Sequence, residues 1–305
     1  MTTAPRDTQA GSVAALLRDR ELRALTRDVM APGATEPFGA YLFTSDEPGA
    51  DLGRHVERSV FFQAFGDTPE VMAGEYASWE PTSFFICVID HLRAVPAGMM
   101  RVIVPSARGL KTFEDIERIW GVSVETLARD TNITLDPMNT WDIATLAIDP
   151  GYRTGAVGGL VGMGLYQTIA LAARGFDVRW VVAVFDMPVF KLLRLKLRMM
   201  FEGFAGLEPM PYLGSPASIP AWCDVLAAER YLAERDPDLH AIMERGVGLE
   251  AGLRRVDFEA SEPFLAMVTE SRLRAVVPQT PVSSRRWVAK DATTSGNRAL
   301  PTGRE

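Results

Sequence analysis

Residues 142–175 constrain the fold more than any other stretch of this chain. Asp142 to Ile148 is a short apolar run with β-branched residues, and Asp149-Pro150-Gly151 closes it, as turn residues close a strand. Arg153 and a cluster of small residues follow. An apolar-periodic stretch from Leu160 to Ala173 then ends at Gly175, as a helix ends at a glycine. Val178 to Phe185 reads as another strand, so the unit is β-α-β and its two strands are expected to run parallel. A tight glycine-rich turn at a helix N-terminus leaves backbone N–H groups unpaired, and the helix dipole favours an anion there. Small residues let that anion approach. A diphosphate suits the turn, and Arg153 adds a charge-assisted contact.

The strands before this unit read differently. Ser83 to Asp90 is continuously apolar, which predicts a central strand buried on both faces. Ala97 to Pro105 predicts its hairpin partner, and a short strand is expected around Tyr41-Leu42-Phe43. Helices are expected over 11–30, 51–66, 112–120 (with Thr112 as N-cap), 123–129 and 187–200, and Glu75 to Pro81 as a loop. Ser218 to Val225 predicts a last strand, and the pattern from Leu226 to about Ala275 is helical. The expected class is α+β, with one mixed central sheet flanked by helices, an N-terminal helix and a C-terminal helical extension. The expected organisation is an N-terminal helical segment 1–36, a core domain 37–225, the extension 226–277 and a mobile tail 278–305 rich in Pro, Ser, Thr and charge.

Composition narrows the partners. A net charge of −7 argues against nucleic acid, whose phosphates need a basic surface. The hydrophobic share, 47%, supports a real core, yet no apolar run is expected to span a bilayer and no signal peptide is seen, so a cytoplasmic protein is expected. Cys87 and Cys223 lie in apolar runs and read as two buried thiols. His55, His91 and His240 are not at ligand spacing with one another, so no metal is expected.

This ordered set resembles the GNAT (N-acetyltransferase) superfamily over roughly Tyr41 to Val225. In that family a turn with Arg/Gln-x-x-Gly-x-Gly/Ala holds the diphosphate of coenzyme A on its amides. Here the turn is Arg153-Thr154-Gly155-Ala156-Val157-Gly158, with Ala156 in place of the first glycine. Glu75-Tyr76, Ser83 to Asp90, Gly98 to Arg101 and Trp141-Asp142 look like the autoinducer-synthase and long-chain N-acyl amino acid synthase branch. Ala77 and Thr145 stand where those relatives carry an aspartate and a second arginine. The resemblance implies an acyltransferase moving an acyl group from acyl-coenzyme A, or from an acyl-carrier protein, to the amine of a small molecule. It leaves homodimerisation open.

On that reading Ile148, Arg153, Thr154, Gly155, Ala156, Val157, Gly158 and Gly159 hold the donor. Asp142 is the first candidate base and Glu75 the second. Arg101, Trp141 and Thr145 are candidates for the acceptor, and Arg101 is equally well a structural ion pair with Asp142 or Glu75. The tyrosine that acts as acid in many relatives is missing between Met187 and Met200, with Tyr212 a substitute. Lys191, Arg194 and Arg198 make a basic face that suits a carrier protein or the 3′-phosphate of coenzyme A, or else is a solvated face. Met99, Met100, Met187, Met199, Met200, Phe84 and Phe85 either line an acyl tunnel or fill the core. The rival readings are an acyl-thioester sensor without catalysis and a nucleotide-dependent oxidoreductase, for which Asp186 lies near the expected acidic position.

Overall fold

The computed structural model describes residues 16–195, 198–258 and 261–276. Helix α1 (Asp19–Val29) leads to strand β1 (Phe38–Thr44), helices α2 (Ala50–Phe65) and α3 (Pro69–Tyr76), and the hairpin β2 (Ser83–Asp90) and β3 (Val95–Ile103). Helix α4 (Lys111–Asp115), continued by a π-turn over Ile116–Trp120, and α5 (Val124–Thr131) precede β4 (Thr140–Ile148). Helix α6 (Gly155–Gly175) joins β4 to β5 (Trp180–Asp186), followed by α7 (Met187–Leu195). The short β6 (Glu202–Gly203) and β7 (Met210–Tyr212) lead to β8 (Ser215–Asp224). Helices α8 (Val225–Arg235) and α9 (Pro237–Arg245), the strand β9 (Leu253–Arg254) and α10 (Glu262–Val276) complete the described chain.

One mixed sheet runs β6-β8-β5-β4-β3-β2-β1-β9, with β7 also paired to β8. Strands β1 to β4 pair antiparallel in sequence order, β4 and β5 pair parallel across α6, and β8 returns antiparallel beside β5. This is the expected α+β architecture, down to the order of strand, Arg153 turn, helix, strand and helix.

Burial explains the β2 sequence. All eight of its residues are buried. Phe84, Ile86 and Val88 pack with Val161 and Leu165 of α6, while Phe85, Cys87 and Ile89 pack with Leu52, Val56 and Val60 of α2. Helices on both faces remove the polar-apolar alternation that a half-exposed strand shows.

Several expectations need correction. Helix α6 is 21 residues long and apolar enough to cross a membrane, contrary to the expectation that no run is. Of its most apolar 18-residue stretch 56% is buried, because the helix lies between the sheet on one side and α8 and α9 on the other. Residues 75–81 are not all loop: α3 runs to Tyr76, started by Thr68, whose side chain caps it, and by Pro69 in the first turn. Helix α7 covers Met187–Leu195, and residues 198–200, expected to be helical, are not. The segment after Val225 is bound into the main core. Met243, Leu249, Leu253, Phe264 and Val268 join the cluster around α6, and β9 adds a parallel strand beside β1. The expected tail, 278–305, lies outside the described residues.

Candidate active site

The site begins where two strands part. Parallel pairing of β4 with β5 covers Thr140 to Ile143 against Trp180 to Ala183 and then ends. Strand β4 stays paired to β3 as far as Ile148, and β5 to β8 as far as Asp186. Ala144–Ile148 and Val184–Asp186 therefore diverge and open a cleft of about 480 Å³. A bulge marks the divergence. Arg101 pairs with Thr145 and Val102 with Ile143, so Ala144 faces no residue of β3. The Tyr76 hydroxyl donates to the Ala144 carbonyl at 3.2 Å and fixes that bulge from below.

The donor end is the turn after β4. Asp149 caps a single turn over Pro150–Tyr152, and α6 then starts at Gly155. Gly155 has φ +68°, a left-handed conformation that suits glycine. At Gly158 a Cβ would lie 2.6 Å from the Arg153 carbonyl carbon, so the helix passes close over the turn only because that atom is missing. The N-cap residue Thr154 gives no side-chain cap, and 153–157 are exposed. The first amides of α6 are thus uncovered. Arg153 lines the cleft and donates its Nε to the Ile148 carbonyl at 2.8 Å, which holds the guanidinium beside those amides. Ile148 and Arg153 are brought together with the turn residues 154–158. Gly159 is exposed one step further along α6, with open space around it.

Thr145 lines the cleft and donates to Glu57 Oε1 at 2.5 Å. Three other candidates are placed elsewhere, and each needs correction. Asp142 is fully buried on the α4 face of β4, where its two oxygens accept the Thr112 amide at 2.6 Å and the Thr112 hydroxyl at 2.8 Å. It caps the start of α4, which packs on this face, a role assigned by sequence to Thr112 itself. Burial pushes its carboxyl up to about 6, against the Thr112 hydrogen bonds and the Lys111 charge, which pull it down. Fully buried, with both oxygens occupied and outside the cleft lining, Asp142 is not placed to take a proton from an acceptor. Trp141 is buried on the α6 face against Phe84 and Phe176, away from any acceptor. Arg101 is buried under the cleft floor, paired with Glu57 at 2.7 Å and with Glu80 at 2.5 Å, and not with Asp142 or Glu75. The Tyr76 and Phe85 rings sandwich it, 4.6 and 4.5 Å from its Cζ. A buried arginine needs such partners, and they leave none of its charge for an anionic acceptor.

Glu75 pairs with Lys111 Nζ at 2.6 Å, at the edge of a network that reaches the cleft through a phenol. Lys111 also contacts Asp115 at 2.6 Å, and Tyr212, a cleft-lining residue, donates to Asp115 at 2.7 Å. Burial and the neighbouring carboxylates push the Tyr212 phenol well above its ordinary range, so it stays protonated. Asp186, at the open end of β5, also lines the cleft and accepts the Ser215 hydroxyl at 2.5 Å. The sequence signal for it was its position at the end of the second parallel strand, read above only in favour of a dinucleotide site.

Helix α7 flanks the mouth through Val189 and Leu192, with Lys191 and Arg194 exposed on it. Arg198 is not part of that face: it follows the helix with φ +50° and pairs with Asp236 at 3.0 Å. A second cavity, of about 110 Å³, shares Ile143, Leu146, Tyr166 and Phe185 with the cleft and runs into the core beneath α6. Met100, Met199 and Met200 line it, whereas Met99, Phe84 and Phe85 are core side chains.

No family model matches the chain, and neither does any curated protein. Solved structures of similar shape exist. One is a CoA-dependent acyl-homoserine lactone synthase, BjaI, solved with SAM and isopentyl-CoA (12% identity, 77% of this chain and 98% of that one, TM-score 0.47). Another is FeeM, an N-acyl amino acid synthase from uncultured soil microbes (16% identity, 66% and 97%, TM-score 0.48). A third is the AHL synthase LasI (13% identity, 68% and 95%, TM-score 0.42). Likeness at this level carries nothing about what this chain binds.

Proposed function

We propose that this chain transfers an acyl group from a thioester donor, acyl-coenzyme A or an acyl-carrier protein, to the amine of a small molecule. One observation carries the reading: β4 and β5 part over a cleft whose mouth holds the uncovered first amides of α6 beside Arg153. The donor's diphosphate rests on those amides and on Arg153. Its pantetheine arm lies along Ala144–Ile148, where β4 has no strand on its β5 side. The acyl chain enters the apolar cavity lined by Met100, Met199 and Met200. Lys191 and Arg194 meet the 3′-phosphate or an acidic carrier.

The chemistry needs little beyond positioning. The amine nitrogen bonds to the thioester carbonyl carbon, the C–S bond breaks, and the products are an amide and a free thiol. One amine proton is lost and the thiolate takes one up. Holding the two reactants in the gap supplies most of the acceleration. Main-chain N–H groups on the open edge of β4 stabilise the oxyanion as it forms. Tyr212, a cleft-lining phenol, keeps its proton and donates it in a hydrogen bond to Asp115, so the thiolate takes its proton from solvent.

Thiol release from a panel of acyl-coenzyme A donors, with and without amines, tests the reading. Amine-dependent thiol release is expected, and Arg153→Glu lowers donor affinity at least tenfold with an unchanged melting temperature. Tight donor binding without thiol release would leave an acyl-thioester sensor, and unchanged affinity in Arg153→Glu would remove the donor site.

A further inference from the structure

Resting on the acyl-transfer reading, we propose that the acceptor is a primary amine that lacks a carboxylate and has an apolar, ring-sized body, and that Asp186 holds its nitrogen. Strand alternation sets the side of the sheet on which this happens. Ala183 and Phe185 of β5 belong to the cluster under α6, while Val182 belongs to the cluster beside α4. Val184 and Asp186 share the Val182 face. That is the side where α2 supplies Phe61, Ala64 and Phe65 as a cleft wall, opposite the α6 side into which the apolar cavity runs. The acceptor thus approaches from the α2 side and the acyl chain lies on the other.

The charges there do not cancel. Asp186 is the one carboxylate among the described cleft-lining residues, and none of its partners among the described residues is a cation. Its Ser215 partner is buried, at 4% exposed, and Ser218 pairs with Asp186 in register from β8. Four carboxylates behind the cleft wall are compensated, Glu57 and Glu80 by Arg101 and Glu75 and Asp115 by Lys111, whereas Asp67, beside Gly214, has a buried oxygen without a hydrogen-bond partner and adds to the negative field. Those same pairs consume the cations that an acidic acceptor would need. Among the described residues lining the cleft, Arg153 is the one cation, and it sits at the donor end. An ammonium group supplies the charge Asp186 lacks. A carboxylate on the acceptor meets Asp186 with nothing to offset it, which is discrimination by repulsion. Phe61, Phe65 and Leu213 leave apolar wall for the rest of the molecule.

Calorimetric titration of the full chain, without donor, with 2-phenylethylamine and with phenylalanine tests this. The two share a skeleton and differ by the carboxylate. The amine is expected to bind at least tenfold more tightly than the amino acid. Asp186→Asn is expected to weaken amine binding at least tenfold while leaving coenzyme A affinity and the melting temperature unchanged. Equal or tighter binding of phenylalanine, binding of neither compound at millimolar concentration, or amine affinity unaltered by Asp186→Asn would overturn the proposal. The wild-type comparison stands whether or not the variant folds. Amine binding without any donor binding would instead remove the acyl-transfer reading and leave the amine site. Donor binding with phenylalanine as the preferred ligand would remove this inference alone.

Discussion

Asp142 and Arg101 carry charge where the fold is driest, and each is held by a different device. Arg101 is neutralised by two glutamates. Asp142 has hydrogen bonds and a helix start but no cation in contact, and its carboxyl rises to about 6 from an ordinary 3.8. The folded protein therefore takes up this proton at a higher pH than the unfolded chain does. Ionising Asp142 costs stability in full above about pH 6, and the cost disappears as the pH falls towards 4. Asp142→Asn removes this titration. Urea denaturation at both pH values should show the stability of wild type relative to the variant falling by about 2 kcal/mol between pH 4 and pH 7. A difference that is flat with pH would contradict the placement, and so would a catalytic pH profile abolished by the same change. Residue type alone indicated that these groups need partners. It gave no means of choosing them, because Glu57 and Glu80 lie 44 and 21 residues from Arg101 in sequence. Asp186 stayed hidden for the opposite reason: its importance lies in the cation it does not have.

At the scale of elements, the turn from β4 into α6 was the most legible part. Its glycines, its arginine and the strand and helix around them are all local signals. Helix α3 was equally local, since Thr68-Pro69 is a start signal, but the Trp79-Glu80-Pro81 breaker after it dominated the reading. No local residue pattern marks where β4 diverges from β5, because that depends on Ala144 bulging against β3 and on Tyr76 bonding to its carbonyl. The glycines of the turn separate by geometry. Gly158→Ala pushes a Cβ against the Arg153 backbone, so it should lower both stability and donor affinity, the latter at least tenfold. Gly159→Ala meets open space and should raise stability by roughly 0.5–1 kcal/mol, the usual gain of alanine over glycine inside a helix. Thermal melts and donor titrations of the two variants check this, and equal effects would contradict it.

For the whole molecule, the sheet has one continuous core on the α6 side, and the C-terminal segment is part of it. Leu253, Phe264 and Val268 are each 2% exposed or less. Buried apolar side chains of this size contribute about 1.5–3 kcal/mol each, and a domain holds only about 5–15 kcal/mol in reserve. A chain ended after Asp224 should therefore fail to fold, as read by loss of the cooperative melting transition. A soluble, cooperatively melting fragment would show instead that the last helices are an accessory. The sequence pattern marked those helices but not their packing, because amphipathic periodicity says that a face is buried without saying against what.

The cleft itself is tested most directly by hydrogen exchange, followed by mass spectrometry, on the full chain with and without saturating acyl-coenzyme A. Amides in 144–148 and 155–158 are expected to slow on adding the donor, with the α1 segment unchanged. Exchange that stays the same across both stretches at saturation, or protection confined to another surface, would contradict the account.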